Sequence, residues 1–180
     1  MAKANRKTID VIFILLGIGA TAALLGAGIL GLWGYHFATN EVRTELSAQK
    51  IYFPPKGSPA LDPQEFPDLQ KYAGQQVNDG PKAKAYANGF IARHLAKIAG
   101  GKTYAEISSE AMADPTNTSL QQKKATLFQG ETLRGLLLGD GYAYWTFGMM
   151  ALYAGIAALA GAAVMAVLVL LGARHLSRLK

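Results

Sequence analysis

The apolar positions of this chain fall into two unbroken blocks with a patterned stretch between them. Val11 to Phe37 reads VIFILLGIGATAALLGAGILGLWGYHF, with no Asp, Glu, Lys or Arg between Asp10 and Glu41. Tyr142 to Ala173 forms a second uncharged block between Asp140 and Arg174. At a helical rise of about 1.5 Å per residue, roughly 20 residues cross the hydrocarbon core of a bilayer, so both blocks are long enough. The sequence therefore predicts an all-α membrane protein in which two transmembrane helices flank a small helical extracytoplasmic domain. Its expected parts are a cytoplasmic tail over 1–10, a first span over 11–37, the domain over 38–141, a second span over 142–173 and a tail over 174–180. The first block is far longer than the apolar core of a signal peptide and ends in GYHFATN without an A-x-A site, which predicts an uncleaved anchor.

Between the blocks the pattern is helical and punctuated. Asn40 to Lys50 prolongs the first helix. Pro54, Pro55, Gly57, Pro59 and Pro63 then forbid a continuous ladder and predict a rigid connector. Asp62, Pro63 and Glu65 have the order of a helix N-terminus, and Pro67 restarts a short helix through Tyr72. NDGP at Asn78 to Pro81 is a turn that opens the next helix, where Ala83, Tyr86, Phe90, Ile91, Leu95 and Ile98 recur at helical spacing until Gly100 and Gly101 stop it. Thr103 and Glu106 fit a capping box, and Asp114 with Pro115 ends the helix they start. A last helix starts near Asn117 and runs toward the second block. No stretch alternates for long enough to predict a strand.

Small residues recur every four positions within the spans. Gly19, Ala23, Ala27 and Gly31 do so in the first, and Ala154, Ala158, Ala162 and Ala166 in the second. Such stripes let helix backbones approach in lipid, which predicts an antiparallel two-helix hairpin packed through these eight residues.

Charge changes the picture only at the membrane edges. The formal net charge is +6, but residues 38–141 hold 12 basic against 11 acidic side chains. The excess sits in Lys3, Arg6 and Lys7 before the first span and in Arg174, Arg178 and Lys180 after the second. No nucleic-acid partner is implied, and short basic tails predict that both termini stay cytoplasmic in a plasma membrane, multi-pass with two spans. Trp33, Tyr35, Tyr142, Tyr144, Trp145 and Phe147 would form the outer aromatic belt. The spans carry no ionisable residue at depth, which argues against a transport path.

Candidate chemistry is sparse. The absence of cysteine removes disulfides, thiolate metal sites and cysteine nucleophiles. The three histidines, His36, His94 and His175, lie in different segments, so a two-histidine, one-carboxylate iron site is not expected, nor any other metal or cofactor. His94 beside Arg93 and Lys97 reads as part of a surface helix. Lys82, Arg93 and Lys97 fall on one predicted helix face, which reads as solvated. Asn117, Thr118 and Ser119 match a glycosylation acceptor. LFQG at Leu127 to Gly130 resembles a viral protease site used in cloning, and reads as native helix.

The words VRTELSAQKIYFPPKGSPAL, KYAGQQV, GFIARHLAKIAGGKTYAEIS and LFQGETLRGLLL resemble a group of uncharacterised actinobacterial two-span membrane proteins. The likeness covers the domain and its junctions with both spans. It implies a bacterial plasma membrane and transfers no catalytic residue. Some members carry the label of aromatic-ring-opening dioxygenase, a chemistry that the scattered histidines do not match.

The expected function is that of a non-catalytic accessory or scaffold component of an envelope or membrane complex. Its partners are the lipid bilayer and either another membrane or envelope protein or a second copy. Ile51, Tyr52 and Phe53, held before a double proline, are the candidate interaction residues, while Phe66, Tyr72, Tyr86, Phe90, Tyr104 and Phe128 mostly fill the core. The same three residues could instead plug the domain onto the membrane-proximal helices. The alternative function is an extracytoplasmic enzyme or ligand-binding domain acting on lipid or cell-wall material, with His94, Glu106, Glu110 or Asp114 as acid–base groups.

Overall fold

The structure is a computed structural model that describes Ala2–Arg178, with side chains from Arg6 onward. The fold is all-helical; among the described residues there is no strand, only one isolated antiparallel bridge between Tyr52 and Gln76. Helix α1 runs Ala2–Ala48. Short 3₁₀ turns follow at Pro59–Leu61 and Pro67–Tyr72. Then come α2 (Gly80–Lys84), a π-helical segment (Ala85–Ile91), α3 (Ala92–Ala99), α4 (Tyr104–Ala113) and α5 (Thr118–Leu136). A second π segment (Leu137–Ala143) leads into α6 (Tyr144–Arg178). Two helical stretches are long and apolar enough to cross a membrane. The chain divides into two compact units, one made of the residues up to Phe37 and from Phe147 onward, the other of Ala38–Thr146.

In the first unit α1 and α6 run antiparallel. A Cβ built on Gly31 would stand 2.7 Å from the Ala151 carbonyl oxygen and 2.7 Å from Gly155 Cα. One on Gly28 would strike Leu159, one on Gly17 would strike Val169 at 2.6 Å, and one on Gly172 would meet Ile14 at 3.4 Å. The helices therefore touch backbone to backbone at Gly31 and Gly155. The inward positions of α1 are Ile14, Gly17, Thr21, Leu24, Gly28 and Gly31, at alternating steps of three and four.

This corrects the predicted stripe. Gly19 has nothing within 4 Å of its Cβ position, and Ala23, Ala27 and Ala154 are exposed; Gly31 alone of the first four is in the contact, whereas Ala162 is buried and Ala158 and Ala166 are half-buried. The reason is geometric. A step of four overshoots one 3.6-residue turn by about 40°, so three such steps carry the first stripe off the contact face, whereas alternating three and four stays on it.

The second unit has a conventional core. Val42 and Leu46 from the end of α1 join Phe53, Leu61, Phe66, Leu69, Val77, Ala83, Ile91, Leu95, Ile107, Leu127 and Leu137. The starts of α2, α4 and α5 lie where the sequence places them. Asp79 accepts from the Lys82 N–H at 2.8 Å with Pro81 in the first turn. Thr103 and Glu106 close a full capping box, and Asn117 caps α5 by accepting from the Leu120 N–H at 3.1 Å. Gly100 and Gly101 end α3 at φ of 63° and 82°, conformations glycine enters without steric cost. Asp62 does not start a helix: its carboxylate accepts from the Gln64 N–H at 2.7 Å and its carbonyl from the Phe66 N–H at 2.8 Å, closing a turn.

The π segments have no counterpart in the sequence reading. Each adds a residue to a helical turn and rotates the helix beyond it. Gly141, in the second, packs against Ala83 and Leu46, and Gly89, in the first, packs against Leu69. In both places a side chain would stand where a core residue already sits.

Candidate functional site

The connector that holds the candidate interaction residues is anchored by backbone pairing. The Phe53 N–H donates to the Gln75 carbonyl at 2.9 Å and the Val77 N–H to the Ile51 carbonyl at 2.8 Å. Gln76 Nε2 donates to the Ser47 carbonyl at 2.8 Å. Alternation along this extended piece then sends Phe53 inward and Tyr52 outward. Phe53 is 1% exposed, stacked on Tyr72 at 5.2 Å and set edge-on to Tyr86 at 5.0 Å. Ile51 packs on the same core, and Tyr52 is 53% exposed. The trio is therefore not a single exposed surface: Phe53 is interior, Ile51 is half-buried against the core, and Tyr52 alone of the three is exposed.

Other aromatics take the outward role. Tyr104, at the start of α4, and Phe128, in α5, lie with ring centroids 5.9 Å apart and are 36% and 56% exposed. Gln121, Lys124 and Ala125 complete a recess of about 330 Å³ over this pair. Tyr104 also borders a second recess of about 460 Å³ with Leu95, Lys102, Thr103, Leu127 and Glu131. Of the six aromatics expected mostly to fill the core, Phe66, Tyr72, Tyr86 and Phe90 belong to it, and Tyr104 and Phe128 are the exceptions. Helical spacing shows which residues share a face but not which face a neighbouring helix covers. Met112, also in α4, is exposed as well.

His94 lies between aromatic rings. Phe66 stacks on it at 5.1 Å with planes 9° apart, and Phe90 lies 4.4 Å away. Its Nδ1 is 2.9 Å from the Phe90 carbonyl. A carbonyl only accepts, so Nδ1 carries the hydrogen and Nε2 is left as the ring's other nitrogen. Among the described residues no ion pair joins His94 to a carboxylate.

The carboxylates proposed as its partners are engaged elsewhere. The Thr103 N–H and hydroxyl bond Glu106 at 2.7 and 2.8 Å. That backbone bond first, then the hydroxyl and the charge of Lys102, hold its carboxyl below the usual range. Glu110 pairs with Lys102, and Asp114 accepts from Thr116 and Asn117. Asn117 is thus tied both to Asp114 and to the α5 cap.

The three basic residues expected on one face do not form it. Lys82 lies before the first π segment and Arg93 after it, so their phases differ. Lys82 pairs with Asp79 at 2.9 Å, Lys97 with Glu65, and Arg93 with Asp68 through two bonds of 2.8 and 2.9 Å. The Arg93 guanidinium, mainly by these bonds, lowers the Asp68 carboxyl from its ordinary value. Burial raises the Tyr86 phenol. LFQG lies within α5, where Leu127 is buried and Gly130 packs against Leu95. Among the described residues no group of three or more His, Asp or Glu could hold a metal ion. No family model, curated protein or solved structure matches this chain.

Proposed function

We propose that this chain is an integral plasma-membrane protein of two spans with both termini cytoplasmic, and that its outer helical domain recognises another membrane or envelope protein without catalysing a reaction. The membrane part draws support from what the long helices fail to bury. Only 11% of each apolar window is buried, and Phe13, Leu16, Leu30, Phe147, Met150 and Leu170 are exposed. A core helix of a soluble protein has its apolar faces covered; apolar surface on this scale is stable in hydrocarbon.

The recognition part rests on the Tyr104–Phe128 pair, a firm aromatic platform flanked by Lys124 and Gln121. Exposed aromatic side chains beside a recess are the kind of surface on which partner residues gain most of their binding energy. His94, bonded to Phe90 and enclosed by rings, lacks the carboxylate partner on which the enzyme reading depends.

The test is gentle extraction and affinity capture of the full chain with quantitative mass spectrometry. Tyr104→Ser with Phe128→Ser is expected to lower the yield of a stoichiometric companion roughly tenfold, the loss of one strong hot spot. His94→Ala is expected to leave it unchanged, and helical circular dichroism checks that each variant folds. Loss of the cellular phenotype in a folded His94→Ala variant would replace this reading with the enzyme one.

A further inference from the structure

Where α1 begins and α6 ends, the helix pair changes character. Gly17 faces Val169 and Ile14 faces Gly172. One turn further out, the same antiparallel order brings Asp10 of α1 opposite His175 of α6. Both line a cavity of about 240 Å³ whose apolar wall includes Phe13, Ile14, Leu168 and Val169. One oxygen of Asp10, Oδ2, is sealed from solvent and has no hydrogen-bond partner. No ion pair links Asp10 with His175 or another base among the described residues. A carboxyl oxygen in this condition is short of a donor, because native structures rarely leave a buried acceptor unmatched. Its surroundings add a second requirement. The cavity is mainly apolar, so a ligand that enters it must carry hydrocarbon as well as a donor. Arg6 and Lys7 lie within about one turn of Asp10, and Arg174 precedes His175, so the same end is also rich in positive charge.

We propose that this cavity seats a phospholipid whose head group carries a primary ammonium next to its phosphate. The ammonium donates to Asp10, whose carboxyl reaches the cavity by rotation about its broad χ2. The phosphate faces His175, and the first methylenes lie against Phe13, Leu168 and Val169, which line the same cavity. Asp10 and His175 fall one residue before the first expected span and two after the second, which is head-group depth for both. Choline lipids bring a cation without an N–H, and glycerol lipids bring no cation, so the site separates the three. This inference rests on the two-span reading.

The experiment is native mass spectrometry of the full chain, purified in a neutral detergent and offered equal amounts of phosphatidylethanolamine, phosphatidylcholine and phosphatidylglycerol with matched acyl chains. The ethanolamine lipid is expected to be retained about tenfold over either competitor, as one charge-assisted hydrogen bond allows. Asp10→Asn should bring the three lipids to near equality, and His175→Gln should weaken retention of the ethanolamine lipid. Equal retention by the unaltered chain, a preference for phosphatidylglycerol, or a preference that survives Asp10→Asn would each overturn the proposal. So would a bound metal cation, lost in Asp10→Asn, with no lipid selectivity. In all these outcomes the chain still carries lipid and the two-span reading stands. A chain that stays monodisperse without detergent and carries no lipid would bring down both.

Discussion

Replacing Gly31 or Gly155 with leucine is expected to force α1 and α6 apart, whereas the same change at Ala23 leaves them together. At Gly31 an added Cβ would lie 2.7 Å from both the Ala151 carbonyl oxygen and Gly155 Cα. These are backbone atoms and cannot rotate away, so the helices themselves must move. Overpacking in well-packed interiors costs about 1–3 kcal/mol where neighbouring side chains can yield. A backbone contact falls at or above the top of that range. Ala23, by contrast, is exposed on α1. With no native cysteine, Leu24→Cys and Gly161→Cys report the approach, because a Cβ on Gly161 would stand 3.5 Å from the Leu24 Cδ1 atom and the two positions therefore face each other. Disulfide yield should fall by more than half in the Gly31→Leu and Gly155→Leu backgrounds and stay unchanged in Ala23→Leu. Equal yields in all three would show that the close approach does not govern the pairing.

Phe53→Ala is the second large effect, and it is an effect on folding. The ring is closed off from solvent between Tyr72 and Tyr86. Removing a buried phenylalanine costs about 3–5 kcal/mol, a large part of what a small domain has. Tyr52→Ala, one residue earlier on the outward side, should change stability by no more than about 0.5 kcal/mol, the usual range for surface changes. Urea-dependent proteolysis of the full chain in micelles separates the two. A Phe53→Ala protein as resistant as the unaltered one would mean that the connector is not anchored in the core.

The contrast between these neighbours marks how far the sequence could be read. Caps and stops are local, and apart from Asp62, which closes a turn, they were legible. Thr103 with Glu106, Asp79 before Pro81, Asn117, and the Gly100–Gly101 pair act within a few residues of themselves. The long helices were legible because an uncharged run of that length has few other uses. Facing was not. The prolines after Phe53 predict a rigid connector but not its facing: a partner at Gln75–Val77, over 20 residues away, decides which side of it points inward. Tyr104 sits at helical spacing with the core residues Ile107 and Ala111 and Phe128 directly follows the core residue Leu127, yet both rings are exposed, because the exposed side of α4 and α5 is set by what packs on the other side. The four-residue stripe of the first span failed for a related reason: it records small residues but not the drift of a 3.6-residue turn. The π segments, which move Lys82 out of phase with Arg93, left no pattern to find.

The central claim is that two spans hold the domain on the outer face of the membrane, and reporter fusions test it most directly. An enzyme active only outside the cytoplasm, and one active only within it, would each be fused after Lys180 and within the exposed turn at Gly57, where a side chain would meet nothing within 4 Å. Cytoplasmic activity is expected at Lys180 and external activity at Gly57. Cytoplasmic activity at both positions would contradict the two-span arrangement.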